Sequence, residues 1–253
     1  MKLSAVQLGR VPYSLGLALQ DELIAARKEG RISDTLLLLE HPPVVTLGRN
    51  AKARNVLASA EQLKSREVEI FECNRGGDVT FHGPGQLVGY PIVDLFGFKP
   101  RIGAVEFVRK LEEVLIRTCA AYGIAAQRIP GLTGVWTRPQ AGEPAKIAAI
   151  GVHISRGVTS HGFALNVSTD LAYFQLIVPC GIQDKSVTSI EKELGRAVEL
   201  AEVGETAARQ FGSVFGEQVL WTETVEALLG RSVGVPLRAP AGTEAGGEDV
   251  WLA

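Results

Sequence analysis

Between Arg75 and Val88 the chain reads Arg-Gly-Gly-Asp-Val-Thr-Phe-His-Gly-Pro-Gly-Gln-Leu-Val, with four glycines and a proline set among Arg75, Asp78 and His82. Glycine lets the backbone take positive φ and approach a ligand closely, and proline stiffens the turn beside it. A connection that only reverses the chain rarely needs so many glycines together with three ionisable side chains. Taken alone the stretch also fits a long glycine-rich turn, so its surroundings have to decide. Val68 to Cys73 reads as a strand leading into it and Leu87 to Leu95 as a strand leading out.

Upstream, Lys2 to Leu8 has the pattern of a first strand. Ser14 stands where a helix N-cap belongs, with Leu15, Ala18, Leu19, Leu23 and Ala26 at helical spacing behind it and Gly30 as the stop. Thr35 to Leu39 is a continuous apolar run, expected of a strand buried on both faces. His41-Pro42-Pro43 breaks it, and Val44 to Leu47 makes another strand before Gly48. Ser59-Ala60-Glu61-Gln62 is a capping box that opens a short helix.

Downstream, Gly103 to Tyr122 carries the clearest helical pattern. Ala104, Val108, Leu111, Leu115, Thr118, Cys119 and Tyr122 share one face, and Arg109, Lys110, Glu112, Glu113 and Arg117 lie off it. Gly131 to Trp136 follows, then an exposed loop from Thr137 to Ala145. Ile147 to Ser155 and Gly162 to Ser168 read as strands joined by a turn near Arg156-Gly157. Thr188-Ser189-Ile190-Glu191 is a second capping box, and Glu202 to Phe215 is an amphipathic helix. Strands and helices mix without a regular βαβ alternation. The expected class is therefore α/β or α+β, a mixed β-sheet flanked by helices. One domain is expected over residues 1–235, with a flexible Pro/Ala/Gly/Glu-rich tail over 236–253.

Composition narrows the function classes. A formal net charge of −2 gives no global argument for a nucleic-acid or membrane partner. No apolar run is long enough to span a bilayer and no signal peptide opens the chain, so a cytoplasmic protein is expected. Three cysteines without a CxxC pair suit a reducing compartment. There is no HExxH, no Walker A loop and no strand–GxGxxG–helix unit, so metal and nucleotide readings lose ground.

Chemistry then points to a thiol. Cys180 sits in Val178-Pro179-Cys180-Gly181, a tight turn that holds sulfur outside regular structure. Cys119, on the apolar face of its helix, is explained as a small buried hydrophobe; Cys73, at a strand end beside Arg75, fits either role. The thiolate is the nucleophile, so a catalytic cysteine needs a cation nearby. Lys146, at the mouth of the apolar run Ile147 to Val152, is the notable lysine, although a strand-end lysine snorkelling to water is common. His41, His82, His153 and His161 are the other possible partners.

Together these stretches resemble the octanoyltransferase family of lipoate biosynthesis. The resemblance rests on His41-Pro42-Pro43-Val44-Val45-Thr46-Leu47-Gly48-Arg49, on Arg75 to Gln86, on Gly134-Val135-Trp136, on Lys146 to His153, and on His161-Gly162-Phe163-Ala164-Leu165-Asn166 through Pro179-Cys180-Gly181-Ile182. It covers roughly residues 1–215. It implies a fold similar to the biotin and lipoate protein ligases. The implied activity moves an octanoyl group from octanoyl-acyl carrier protein to a lysine of lipoyl domains, those of 2-oxoacid dehydrogenase subunits and of the glycine cleavage H protein. Carried over by position, Cys180 matches the acyl-thioester nucleophile and Lys146 the lysine that lowers its pKa. The substrate-contacting segments match Arg75, Gly76, Gly77, Asp78, Val79, Thr80, Phe81 and His82, then Ala149, Ile150 and Gly151, then Gly162, Phe163 and Ala164.

Exchange of one thioester for another needs little driving force, and amide formation from it is downhill. No cofactor, ATP or metal is therefore expected, and two half-reactions through a covalent intermediate predict ping-pong kinetics. The alternatives are an ATP-dependent lipoate or biotin protein ligase on the same fold, an amidotransferase acting between lipoyl-domain proteins, and a carrier-protein-binding module without catalysis.

Overall fold

A computed structural model describes residues 2–138, 142–178 and 186–230. Its elements in chain order are β1 (Lys2–Arg10), α1 (Tyr13–Lys28), β2 (Asp34–Glu40), β3 (Val44–Leu47), α2 (Ala60–Ser65), β4 (Glu69–Glu72), β5 (Val79–His82), β6 (Gln86–Ile92) and α3 (Ala104–Ala121). They continue with β7 (Ala126–Ile129), β8 (Leu132–Thr137), β9 (Lys146–Ser155), β10 (Val158–Asn166), α4 (Ile190–Leu194), α5 (Leu200–Phe215), β11 (Gln218–Trp221) and α6 (Val225–Leu229). The expected tail over 236–253 lies outside the described residues, as does Cys180.

Eight strands form one mixed sheet in the order β11-β1-β2-β6-β10-β9-β8-β7. The first three run parallel and the remaining pairs antiparallel. A smaller sheet, β4-β3-β5, stands apart from it. Successive side chains of a strand point to opposite faces, so every central strand serves two cores. In β2, Leu36 and Leu38 join one cluster with Phe107 and Leu111 of α3 and Phe211 of α5. Leu37 and Leu39 join another with Leu19 and Leu23 of α1. This is why the run from Thr35 to Leu39 has no polar beat. The small sheet packs its own apolar side, Val45, Val79 and Phe81, against the single-turn segment Leu171–Leu176.

Several boundaries differ from the sequence expectation. Helix α1 starts at Tyr13 with Pro12 in the N-cap position and no side-chain cap, so Ser14 lies inside the first turn. The second capping box does not form: Thr188 donates its backbone N–H to Lys146 O, and the cap passes to Ser189, which accepts from Lys192 N. The strand expected from Gly162 begins at Val158, because Arg156 and Gly157 take φ of 52° and 83° and close a two-residue hairpin. Within the glycine-rich stretch, Val79 to His82 pairs with β3 as a true strand. Glu112, assigned to the polar face of α3, is fully buried: Arg109 and Arg128 donate to its Oε2 at 2.7 and 3.1 Å, and Gly134 N–H to its Oε1 at 3.2 Å. Periodicity alone cannot see partners that arrive from β7 and β8.

Candidate functional site

The β9–β10 hairpin forms the floor of a slot whose roof is the glycine-rich stretch. Ala149 pairs with Ala164 and Gly151 with Gly162, so the floor carries almost no side-chain bulk. Gly76 N–H donates to Val152 O at 3.0 Å, bringing the roof onto β9. A Cβ on Gly151 would lie 2.7 Å from Gly76 O, so this close approach requires glycine there. Between roof and floor lies a narrow cavity, completed by Tyr13 of α1 and by Val88 and Tyr90 of β6. A second cavity shares Thr80, Ala149 and Ala164 with the first and continues to Lys146, Gln86, Asn166 and Val187. The two adjoin along the hairpin, and together they are called the slot.

Arg75 is buried against this slot. Its Nη2 donates to Thr46 O at 2.7 Å and to Thr46 Oγ1 at 2.8 Å, Nε donates to the same hydroxyl at 3.2 Å, and Nη1 to Gly76 O at 3.1 Å. All of these acceptors are neutral, so the guanidinium charge is not cancelled by a carboxylate at hydrogen-bond range among the described residues. It contributes to keeping nearby histidines neutral. Burial, then His41 and Arg75, push His82 down to about 3. Burial, then Arg75 and His153, push His161 down to about 4, and burial pushes His41 down to about 4. Burial raises Tyr13 and Tyr90, which remain phenols and donors.

The tautomer of His82 follows from two backbone carbonyls at the ends of a side-chain relay. Asn166 Nδ2 donates to Thr188 O at 2.9 Å, which turns Asn166 Oδ1 toward Gln86 Nε2, also at 2.9 Å. Gln86 Nε2 further donates to Phe81 O at 3.2 Å, so Gln86 Oε1 faces His82 Nδ1 at 2.8 Å. His82 must therefore donate through Nδ1, leaving Nε2 a bare acceptor on a ring that lines the slot. By the same logic His41 donates Nδ1–H to Val11 O at 2.6 Å and accepts from Tyr90 Oη at 2.7 Å.

Lys146 opens β9 and is buried, its Nζ 4.8 Å from the centroid of the Trp136 ring. Its backbone N–H donates to Ser186 O at 2.8 Å and its carbonyl accepts from Thr188 N at 3.0 Å. On the other side of the undescribed segment 179–185, Val178 N–H donates to Asn55 O at 2.7 Å. Cys180 itself falls within that segment. The other cysteines occupy separate places. Cys119 is buried on α3, where burial pushes its thiol up to about 12. Cys73 is half-buried, and its Sγ donates to Leu47 O at 3.5 Å.

Of the remaining expected residues, Arg75, Gly77, Thr80, His82, Ala149, Ile150, Gly151, Gly162, Phe163 and Ala164 line the slot. Gly76 contributes its backbone contact to β9. Val79 and Phe81 point into the small sheet's apolar core, because alternate residues of β5 face opposite sides. The Asp78 carboxylate accepts from Asn55 Nδ2 and from the N–H of Lys52 and Val79, fastening the loop beneath the roof. Tyr13, Val88 and Tyr90 line the slot without a sequence signal, since each fits the apolar pattern of its own element. Among the described residues no group of three or more His, Cys, Asp or Glu side chains could hold a metal ion, and no helix is long and apolar enough to cross a membrane.

Comparison with known proteins agrees with this architecture. The lipoyl protein ligase A/B catalytic domain matches residues 12–212. An octanoyltransferase of Koribacter versatilis is 60% identical over 240 residues, covering 94% of this chain and 94% of its own. One from Acidobacterium capsulatum is 62% identical over 237 residues, covering 90% and 96%. The chain therefore belongs to the lipoyl protein ligase A/B catalytic-domain family, and to the octanoyltransferases within it. Among solved structures, lipoate-protein ligase A bound with ATP superposes with a TM-score of 0.69 at 18% identity over 90% of this chain and 92% of that one. A bipartite lipoate protein ligase of Thermoplasma acidophilum gives 0.68 at 17% identity over 90% and 91%. At such identity these two speak for the shared fold.

Proposed function

We propose that this protein is an octanoyltransferase that carries the octanoyl group from acyl carrier protein through a thioester on Cys180 to a lysine of a lipoyl domain. The observation that carries the reading is the slot itself: a bare apolar floor running along β9 and β10 from the buried amine of Lys146. Both ends of the segment holding Cys180 are tied to the slot's surroundings, by Ser186 at Lys146 and by Val178 at Asn55. Phe174 and Val187, on either side of that segment, line the cavity with Lys146. The identity of 60% to an octanoyltransferase supports the same donor chemistry.

In the first half-reaction the Cys180 thiolate attacks the donor thioester carbonyl, the C–S bond to the carrier breaks, and the Lys146 ammonium gives its proton to the departing carrier sulfur, leaving Lys146 neutral for the second half. In the second, a neutral lysine amine attacks the enzyme thioester, an amide forms and the Cys180 thiolate departs. Lys146 favours the thiolate in the first half and takes up the proton shed by the incoming amine in the second. His82 is unsuited to that proton: held near the acidic end of the scale, it accepts a hydrogen bond without taking the charge.

Intact mass spectrometry after mixing with octanoyl-carrier protein tests the reading. An octanoyl adduct should form without ATP, vanish in Cys180→Ser, persist in Cys73→Ser and form much more slowly in Lys146→Ala. An adduct that survives in Cys180→Ser refutes the nucleophile. Transfer that occurs only with ATP and free acid favours the ligase alternative.

A further inference from the structure

At one end of the slot stands His161, bonded to Asn74, which lines the neighbouring hollow. Along β9 the slot's lining passes from Lys146 to Ala149 and Gly151, and along β10 from Asn166 to Ala164, Gly162 and His161. At His161 the lining changes hands to another hollow of about 400 Å³ between α1, the end of β4 and the far half of the hairpin. Among the described residues His161 alone lines both spaces. Its φ is 54°, left-handed within a strand where it pairs with Val152, a conformation a non-glycine residue keeps only when its surroundings impose it. Two contacts do so: His161 N–H donates to Gln20 Oε1 at 2.6 Å, and Nε2–H donates to Asn74 Oδ1 at 2.6 Å.

We propose that the His161–Asn74 bridge is the end-stop of the acyl slot and sets the longest acyl chain the protein accepts. This rests on the acyl-transfer reading above. Each further methylene taken out of water improves binding by about fourfold, so a slot without a stop favours the longest chain offered. Selection for one length needs something that refuses the next methylene. The bridge suits that task because its two members satisfy each other and leave no unpaired donor against a terminal methyl. A longer chain has to part them, leaving a buried ring N–H and an amide oxygen without partners. Beyond the bridge the hollow offers Leu17, Ile24 and Val158 to a tail that passes through.

The test compares covalent adduct formation from octanoyl-, decanoyl-, dodecanoyl- and tetradecanoyl-carrier protein on the full chain and on Asn74→Ala. The full chain should slow sharply beyond one length, and Asn74→Ala should raise the dodecanoyl-to-octanoyl rate ratio by about fifteenfold, the gain when two of the four additional methylenes become buried. An unchanged ratio in folded Asn74→Ala overturns the end-stop. No adduct at any length on the full chain overturns the acyl-transfer reading instead. Independently of the variant's folding, calorimetric titration of the unaltered protein with free hexanoate through tetradecanoate should show affinity rising and then breaking off. A continuous rise through tetradecanoate also overturns the end-stop.

Discussion

The two faces of the large sheet receive side chains from the same strands yet end up unlike each other. One is covered by α3 and α5, whose apolar faces carry Leu111, Leu115, Phe107 and Phe211 into a solid core, with Phe211 and Phe215 stacked at 4.2 Å. The other is covered by α1 and by a small sheet that touches the large one through glycine backbone at Gly76 and Gly151. Where a helix covers a sheet, side chains interlock and fill space. Where backbone is held over backbone, with alanine and glycine between, space is left, and buried polar groups have to be satisfied one by one. Tyr13, His41, His82, Tyr90 and His161 all belong to the hollow face. The difference teaches that aromatic packing concentrates on one side of the sheet, while the candidate site and its buried polar groups lie on the other.

Acid should break the hollow face with the largest effect. His41 and His161 are held at about 4 and His82 at about 3, against an ordinary 6.5 in the unfolded chain. The unfolded chain therefore binds more protons as pH falls below about 6.5, and the stability these groups contribute at neutral pH is lost toward pH 4 and 3. Unfolding free energies from urea melts should fall by about 3 kcal/mol in total between pH 6.5 and 5, the loss from the histidines outweighing the opposite contribution of Glu217, which is held at about 7. A flat profile there would mean the histidines are not held neutral. On the packed face, Phe211→Ala should cost about 3–5 kcal/mol in unfolding free energy. Adduct formation per folded molecule should stay as it was; a selective loss of acylation would deny the separation of the faces.

A smaller effect sharpens the contrast at the sheet's parallel end. Asp34 Oδ2 and both carboxylate oxygens of Glu217 are buried where no N–H or hydroxyl donor among the described residues reaches them, so only a proton on Glu217, shared with Asp34, can bridge them. Burial, then the Asp34 charge, raise Glu217 to about 7. Its contribution runs opposite to that of the histidines: it is present below about pH 4.5 and lost as pH rises through 7. Glu217→Gln should gain about 1–2 kcal/mol at pH 8 and nothing near pH 4. Equal stability of the two proteins at pH 8 would show that Glu217 is not strained by its surroundings.

How legible this was depended on the distance over which each feature is decided. The strands at Thr35 and Val44, the capping box at Ser59 and the helix before Gly123 follow from neighbours in sequence. Strand β5 did not, because the glycines and proline around Val79 to His82 mask a four-residue alternation whose partner, β3, is far away in the chain. Glu112 looked exposed because Arg128 and Gly134 reach it only after the chain has turned back.

The sequence by itself determined the fold class, because periodicity, caps and glycine-bearing segments are local properties of the chain. Through motifs that resemble a known family it also pointed to Lys146, the Arg75–His82 stretch and Gly162 to Ala164 as candidate site residues. Only the tertiary structure decided which of their side chains share one space. It turned Thr80 and His82 toward the slot and Val79 and Phe81 away, set the tautomer of His82 through Gln86 and Asn166, and placed His161 against Asn74. The reason is physical: a strand's alternation fixes that neighbours face opposite ways, but which way is inward depends on what is packed above it.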